Sequence, residues 1–211
     1  MAAQRSVAVR SRDAESEATR RTILEAAEAL LATGGEDGLS IRELCARAGV
    51  TPPTIYHHFG DKRALVDRVI DDCFAEFDAT LARRTPPADP VEALRSAFDR
   101  YVEYGLAHPT HYRVMFQRTA PRKSSAPGLA SYDKLRRVVA AVADAGRLVP
   151  PVEVATLACW CASHGVTSLL VGAYFSPDDP AVALVRDSLI AQITTPPSRA
   201  RRARRQKRSR A

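Results

Sequence analysis

Side chains that suit contacts with nucleic acid are concentrated between residues 42 and 62. Short polar groups at the start of a helix can reach base edges, whereas a phenol, an ammonium group and backbone amides suit phosphate oxygens. Ile55 and Phe59 stand among them and would form the inner face of that helix. The candidates for DNA contacts are Arg42, Thr51, Pro53, Thr54, Tyr56, His57, His58 and Lys62. Their chemistry predicts a surface that docks in the major groove of double-stranded DNA.

Two short helices joined by a tight turn are predicted to position this set. Ser40 can cap the first helix, and Glu43, three residues later, completes a capping box. Gly49 tolerates the left-handed conformation that a helix C-terminus needs. Thr51 can cap the second helix. Pro52 fits its first position, because an N–H there would have no partner within the helix and proline lacks one. Two such helices form a helix-turn-helix, although a small helical bundle with ordinary surface groups would share the pattern.

The run V-T-P-P-T-I-Y-H-H-F-G-D-K resembles the recognition-helix signature of the TetR family of transcriptional regulators. The preceding ILEAAEALLATGGEDGLSIRELCARAGV is similar to that family's first two helices, so the resemblance spans about Thr19 to Asp72. Pro53 departs from the commonest pattern, in which glycine or alanine is frequent. The resemblance implies an all-α fold, with an N-terminal three-helix DNA-binding domain and a larger C-terminal helical domain for ligand binding and dimerisation.

The resemblance also implies a role for each candidate in the DNA-binding surface. Tyr56 and Lys62 would hold phosphates, and His58 would support the helix. Base edges would be contacted by Arg42, Thr51, Pro53, Thr54 and His57. As the family usually works, the protein would be a repressor that binds a palindromic operator as a dimer and is released by a small apolar effector.

About nine helices and five segments are predicted along the chain. The first helix is expected from Ser16 to Thr33, ended by Gly34 and Gly35. Later helices are expected at 62–83, 90–107, 129–145, 152–175 and 180–193, with a short helix after Pro109 and a surface loop at 119–128. The segments are a disordered basic arm (1–15), the DNA-binding domain (16–62), a connecting helix (63–83), the ligand-binding and dimerisation domain (84–195) and a disordered Arg-rich tail (196–211).

The last two long helices are predicted to form a homodimer interface. The first of them is apolar nearly all round and carries a strip of mostly small residues, which are Ala158, Ala162, Gly165, Leu169 and Gly172. The final helix places Val182, Val185, Leu189 and Ile193 at matching spacing. Two copies would then form a four-helix bundle, as TetR-like proteins generally do. The run W-C-A-S-H-G also resembles the Trp-x-x-x-His-Gly motif of one TetR C-terminal subgroup.

Aromatic and polar residues of the second domain are candidates for a ligand pocket. They are Phe98, Tyr101, Tyr112, Met115, Phe116, Trp160, His164 and Thr167. Small-molecule sites commonly combine an apolar lining with a few polar groups, and His164 and Trp160 fit that description best. The alternative is that this aromatic stripe is packed core.

Positive charge is concentrated at the end of the chain. The sequence has 31 Lys and Arg against 24 Asp and Glu, a net charge of +7. Eight of the positive residues follow Ser198, so removing them leaves a net charge of −1. Such a tail would attract phosphates without reading sequence, or would serve only to solubilise the chain. The alternative function is therefore a nonspecific nucleic-acid-binding or nucleoid-associated protein.

Several other classes of protein are not supported by the sequence. No signal-like segment precedes Asp13 and no stretch is expected to approach the ~20 apolar residues of a membrane span, so a cytoplasmic protein without membrane contact is predicted. The four cysteines lie in apolar contexts that suit buried thiols. Cys159 and Cys161 would point apart on a helix, so no metal site and no cofactor is predicted. No nucleophile or acid/base pair with an orienting partner is evident, which argues against an enzyme.

Overall fold

Nine helices account for the regular structure in the residues that the computed structural model describes, 2–116 and 126–196. They are α1 (Ala2–Gly38), α2 (Ile41–Ala48), α3 (Pro52–Phe59), α4 (Lys62–Ala82), α5 (Pro90–Ala107), α6 (Pro109–Phe116), α7 (Ala126–Asp144), α8 (Val152–Val171) and α9 (Pro180–Ile193). An isolated antiparallel bridge pairs Leu148 with Thr194. The predicted all-α fold is therefore confirmed. The Arg-rich tail and most of the predicted 119–128 loop lie outside the described residues.

The first helix is longer than predicted at both ends. It begins at Ala2, so residues 2–15, for which the sequence predicts a disordered arm, are helical in the structure. Residues 2–33 contain neither glycine nor proline and are rich in Ala, Glu and Arg, which favour helix even without a buried face. At the other end, Gly35 has φ 61° and ψ −163°, so the chain kinks there before a final helical turn reaches Gly38.

Two later helix boundaries also differ from the prediction. Helix α7 begins at Ala126, three residues early, because proline is tolerated in the first turn of a helix, where Pro127 lies. Helix α8 ends at Val171 instead of Phe175. There Ala173 has φ 58°, and the Tyr174 N–H donates to the Leu169 carbonyl at 3.1 Å, which closes the helix end. The bounds of α5 and α9 agree with the prediction.

The first compact unit contains residues 1–77 and 108–128. Within it α1 packs against α2 and α6, and α2 packs against α3. The predicted inner face of α1 is confirmed, because Ile23, Ala27, Leu30 and Leu31 are all buried. Further core residues come from the other helices and include Leu39, Leu44, Ile55, Phe59, Leu65, Val66, Val69 and Ile70. This unit differs from the predicted 16–62 domain, since α6 and most of α4 group with the N-terminal helices.

The second compact unit contains residues 78–107 and 129–211. Within it α5 packs against α8 and α9, and α8 packs against α9. One apolar cluster joins α5, α7, α8 and α9. It comprises Val91, Leu94, Val139, Val142, Ala155, Cys159, Ile190 and Ile193. Ion pairs add to the α5–α9 contact: Arg186 binds Asp99 at 2.7 Å, and Arg95 binds Asp187.

Asp89 and Arg147 tie together three parts of this second unit. Asp89 caps α5, since its Oδ1 accepts from the Val91 N–H at 2.9 Å. Two hydrogen bonds, at 3.0 and 2.8 Å, join Arg147 to the Asp89 carboxylate. The Arg147 Nε also donates to the Thr195 carbonyl at 3.0 Å, and the Thr195 N–H donates to the Arg147 carbonyl at 2.8 Å. Burial raises the pKa of Asp89, but the N–H groups of Glu92 and Val91 and the Arg147 charge outweigh it, so that pKa is lowered overall.

Helix α8 corrects one expectation about composition. It has 20 residues, and an 18-residue window within it has a mean hydropathy of 1.5, so by length and composition alone it could cross a membrane. The individual Thr, Ser and His residues make the run look more polar than its average. Core helices of soluble proteins pass the same test. In this structure Ala155, Cys159, Val166 and Leu170 of α8 are buried in its packing with α5 and α9.

Candidate nucleic-acid interface

Helix α2 is held by the predicted cap and turn. The Glu43 N–H donates to Ser40 Oγ at 3.0 Å, which confirms Ser40 as the N-cap. The Glu43 carboxylate does not complete the capping box, because it pairs with Arg47 at 3.0 Å. At the other end Gly49 has φ 65° and ψ 31°, and its N–H donates to the Cys45 carbonyl. The turn therefore uses the left-handed glycine that the sequence indicated.

Helix α3 begins as predicted, but its cap differs in one respect. Thr51 is extended at the N-cap position and Pro52 occupies the first turn. The Thr51 hydroxyl makes no capping bond to the helix and lies 3.0 Å from the Thr54 hydroxyl. After α3, Gly60 has φ 82°, and Asp61 accepts from the Ala64 N–H at 2.7 Å to start α4.

One face of α3 packs in the core, and the other carries candidate DNA-contact residues. Ile55 is fully buried and Phe59 is 9% exposed. The Arg20 guanidinium of α1 lies 5.3 Å from the centre of the Phe59 ring, which further fixes the inner face. Five of the predicted DNA-contact residues are exposed, namely Arg42, Thr51, Pro53, Tyr56 and His57. The other three, Thr54, His58 and Lys62, are partly buried.

Because residues three and four apart share a helix face, Pro53, Thr54 and His57 present their side chains on one side of α3. Tyr56 stands beside them with 47% of its surface exposed. The His57 and His58 rings meet edge-on with centres 5.4 Å apart, and His58 also lies near Phe59. Both contacts lie within α3. The arrangement leaves hydroxyl, imidazole and phenol groups available for contacts outside the chain.

Five of the predicted pocket residues belong to the second compact unit: Phe98, Tyr101, Trp160, His164 and Thr167. A hydrogen bond of 3.2 Å joins the Tyr101 hydroxyl to His164 Nδ1. The centre of the Trp160 ring lies 6.1 Å from that of the His164 ring. The Tyr132 ring packs edge-on against the Trp160 ring, with centres 5.8 Å apart. Burial lowers the pKa of His164, which favours the neutral imidazole. Tyr132 was not among the predicted pocket residues, because its position on α7 does not indicate which residues of other helices it contacts.

Tyr112, Met115 and Phe116, the other three pocket candidates, belong to the first compact unit. Tyr112 and Met115 are almost fully buried. The Phe116 ring lies 5.0 Å from Tyr112 and 5.8 Å from Phe74. In that unit they form an aromatic core, which was the alternative interpretation of the stripe. Thr167 is also fully buried, and its hydroxyl donates to the Ser163 carbonyl at 2.7 Å.

The structure brings together a cluster of ionisable residues that sequence reasoning did not predict. Glu28 of α1, Cys73 and Glu76 of α4, and His108 and His111 at the start of α6 all belong to the first unit. The cysteines considered for metal from their spacing were Cys159 and Cys161. Of those two, Cys159 is buried and Cys161 exposed, in agreement with the prediction that they point apart. Only the H-P-T-H spacing signalled the cluster, because its acidic members come from two other helices.

Comparisons with known proteins agree with this architecture. A family model described as "Bacterial regulatory proteins, tetR family" matches residues 23–69, which include α2 and α3. A second, described as "Tetracyclin repressor-like, C-terminal domain", matches residues 94–193.

Curated relatives are similar over part of their length. The class A tetracycline repressor from transposon 1721 of Escherichia coli is 46% identical over 55 residues, 26% of each chain. The regulator UidR of Escherichia coli K12 is 31% identical over 97 residues, 46% of this chain and 45% of UidR. The repressor KstR2 of Mycobacterium tuberculosis is 30% identical over 116 residues, 51% of this chain and 54% of KstR2. The chain thus spans between a quarter and about half the length of these relatives.

Solved structures show the same fold over most of the chain. A Rhodococcus sp. RHA1 protein of unknown function superposes with a TM-score of 0.69 at 27% identity, covering 84% of this chain and 96% of the other. A putative TetR family regulator from Vibrio parahaemolyticus also gives 0.69, at 23% identity, over 84% of this chain and all of the other. With matching models for both its N-terminal and its C-terminal parts, the chain belongs to the TetR family of bacterial regulatory proteins, which are DNA-binding regulators and not enzymes.

Proposed function

We propose that this protein regulates transcription by inserting α3 into the major groove of an operator. The observation that carries the proposal is the exposed polar face of α3, within a helix-turn-helix whose other face is buried. Tyr56 and Lys62 would bind phosphates and fix the register of the helix on DNA. Arg42, Thr51, Pro53, Thr54 and His57 would contact base edges, and His58 would support α3 from within.

The functional unit is a homodimer formed through α8 and α9. Large apolar side chains on both helices are exposed in the single chain: Val154, Leu157 and Leu169 on α8, and Leu184 and Val185 on α9. A second copy would cover them in a four-helix bundle, which accounts for an apolar surface of this extent. Because a two-fold dimer presents two copies of α3, the operator would be a palindrome with half-sites about one helical turn apart.

An apolar effector with few polar groups would bind in the second unit beside Tyr101, Trp160 and His164. The Tyr101–His164 pair offers polar contacts among aromatic rings, as small-molecule sites commonly do. Phe98 and Thr167 would complete the apolar wall, while Tyr112, Met115 and Phe116 serve packing. The regulator would act in the cytoplasm as a repressor, and the effector would release it from DNA. By linkage, operator DNA must then weaken effector binding by the same factor.

Selection from a random DNA pool at near-physiological salt tests the proposal. Two versions would be used, the full-length chain and a chain ending at Pro197, which lacks the Arg-rich tail. An enriched palindrome in both is expected, because base contacts come from α3. Absence of enrichment in both would contradict a sequence-reading regulator. Binding that disappears with the tail would instead favour nonspecific attraction to phosphates by its eight positive charges.

A further inference from the structure

Three side chains with metal-binding atoms converge where α4 meets the start of α6. Glu76 lies on α4, His108 immediately precedes α6, and His111 lies in its first turn. The ligand atoms of these three residues lie within 4.8 Å of one another. The residues are partly exposed, with side-chain values of 46% for Glu76, 35% for His108 and 18% for His111. Solvent ions can therefore reach them.

The distances between donor atoms suit a metal ion better than a direct hydrogen bond. Glu76 Oε2 lies 3.5 Å from His111 Nδ1, and Glu76 Oε1 lies 3.9 Å from His108 Nδ1. A tetrahedral ion with metal–ligand bonds of about 2.0–2.2 Å holds neighbouring donors about 3.3–3.6 Å apart. The His108 and His111 rings are stacked, with centres 5.5 Å apart and planes 17° from parallel, so the side chains would rotate for both imidazoles to bind one ion.

Glu28 fixes the orientation of His111. Its Oε1 lies 3.0 Å from His111 Nε2, a hydrogen-bonding distance, so the Nε2–H donates to this carboxylate. The other ring nitrogen, Nδ1, then faces Glu76. A carboxylate that accepts from the far nitrogen of a metal-binding histidine is the usual outer partner in such sites.

We propose that Glu76, His108 and His111 bind one divalent transition-metal ion of the Zn²⁺ class, with Glu28 as the carboxylate that orients His111. Two imidazoles and one carboxylate suit Zn²⁺ and its neighbours better than Mg²⁺ or Ca²⁺, which prefer oxygen ligands. Water would complete the coordination. The ion would join α4 to α6, while the Glu28 hydrogen bond extends the network to α1.

Cys73 offers a competing set of ligands with Glu28 and His111. It is only 3% exposed, and burial together with the charges of Glu28 and Glu76 raises the pKa of its thiol to about 12. The exposed His₂Glu set is therefore assigned as the site, and the thiol is assigned to the core.

Titration of full-length, chelator-treated protein with ZnCl₂ in a calorimeter tests the assignment. One Zn²⁺ per chain is expected. Replacing one ligand, as in His108→Asn or Glu76→Gln, should weaken binding by about 100-fold or more, and Glu28→Gln by about 10- to 100-fold. Glu25→Gln is the matched control, because Glu25 lies on the same helix as Glu28 and pairs with Arg21 at 3.7 Å. Its affinity should equal that of the unaltered protein.

Titration with CoCl₂ separates the two ligand sets. The proposed site should give visible d–d bands without a near-ultraviolet thiolate-to-cobalt band, and Cys73→Ser should leave the spectrum unchanged. A thiolate band would overturn the assignment, as would the absence of Zn²⁺ binding or an affinity unaltered by His108→Asn and Glu76→Gln. Circular dichroism of the metal-free variants checks that each is folded, so that lost binding reports lost ligands.

Discussion

Tyr56 and Thr54, two residues apart on α3, are proposed to make different kinds of DNA contact. Phosphate contacts carry no sequence information, whereas base contacts do. Tyr56→Phe should therefore lower affinity for operator and scrambled DNA alike, by about tenfold, because one hydrogen bond to a charged group is lost. Thr54→Ala should change the preferred base at one position of the half-site, at a cost of roughly 1 kcal/mol. Titrations of both variants with operator and scrambled duplexes check this, and the reverse pattern would refute the two roles.

His164 should make stability depend on pH in the mildly acidic range. Burial lowers its pKa in the folded chain, whereas unfolding restores an ordinary value of about 6.5. Between these two values the unfolded chain binds more protons, so the free energy of unfolding falls as pH drops below about 6.5. The fall ends below the folded pKa.

Urea unfolding at about pH 7.5 and about pH 5.5 measures this effect, since these values bracket the ordinary pKa of histidine. His164→Gln should show a smaller loss of stability between the two pH values than the unaltered protein. Glutamine keeps a polar group near Tyr101 and cannot titrate. An equal loss in both proteins would mean that His164 takes up no extra proton on unfolding.

Single side chains could be predicted where their surroundings are local. Ile55 and Phe59 follow from helical spacing, and Ser40 follows from its position before an apolar run. The Thr51–Thr54 hydroxyl pair could not be distinguished from a capping bond, because both need only neighbouring residues. The place of His111 between Glu28 and Glu76 depends on the packing of three helices, which no local pattern contains.

At the scale of elements, the turn between α2 and α3 depends on Gly49. Its φ of 65° is unfavourable for a residue with a Cβ, although no atom lies within 4 Å of the Cβ that alanine would add. Gly49→Ala should therefore destabilise the fold by about 1–2 kcal/mol through backbone strain alone. Gly34→Ala is the control, because Gly34 lies in α1 with equal space and without a positive φ. It should be neutral or stabilise by up to about 1 kcal/mol.

Urea unfolding of both glycine variants gives the comparison. If Gly49→Ala were as stable as Gly34→Ala, the left-handed turn would not be required.

Helix boundaries could be predicted where a residue type with a strong local preference stands at the boundary. Proline and aspartate mark the starts of α5 and α9, whereas α1 begins where no residue of that kind stands. Helical propensity extends α1 to Ala2, and α8 ends at its C-cap Gly172, which is followed by a left-handed Ala173.

At the scale of the whole molecule, dimer formation should depend on the exposed apolar faces of α8 and α9. Leu157→Lys combined with Leu184→Lys places charges within both faces and should give a monomer in sedimentation velocity at micromolar concentration. Val149→Lys is the control, because Val149 is 62% exposed but lies between α7 and α8. The circular dichroism spectra of both variants should remain those of a helical protein. A dimer that survives the double substitution would exclude this interface.

The Arg-rich tail should affect the salt dependence of DNA binding more than its specificity. Each phosphate neutralised contributes about 0.9 to the slope of log affinity against log salt, so eight charges would contribute at most about seven. Titrations of the full-length chain and the chain ending at Pro197, across several salt concentrations, measure the difference. A shallower slope with the same preferred sequence is expected. Equal slopes would mean that the tail makes no phosphate contacts.

The hydrogen bonds between Arg147 and Thr195 determine where this chain can be shortened. The packed fold extends beyond the last helical residue, because two hydrogen bonds join Thr195 to Arg147, one donated by each residue, and Arg147 in turn holds Asp89 at the start of α5. A stop codon after Pro197 leaves all of these bonds in place. One placed directly after α9 would free Arg147 on one side and weaken the cap of a helix a hundred residues earlier in the sequence. We therefore expect a shortened chain to keep this cap only if it extends at least to Thr195, two residues beyond α9.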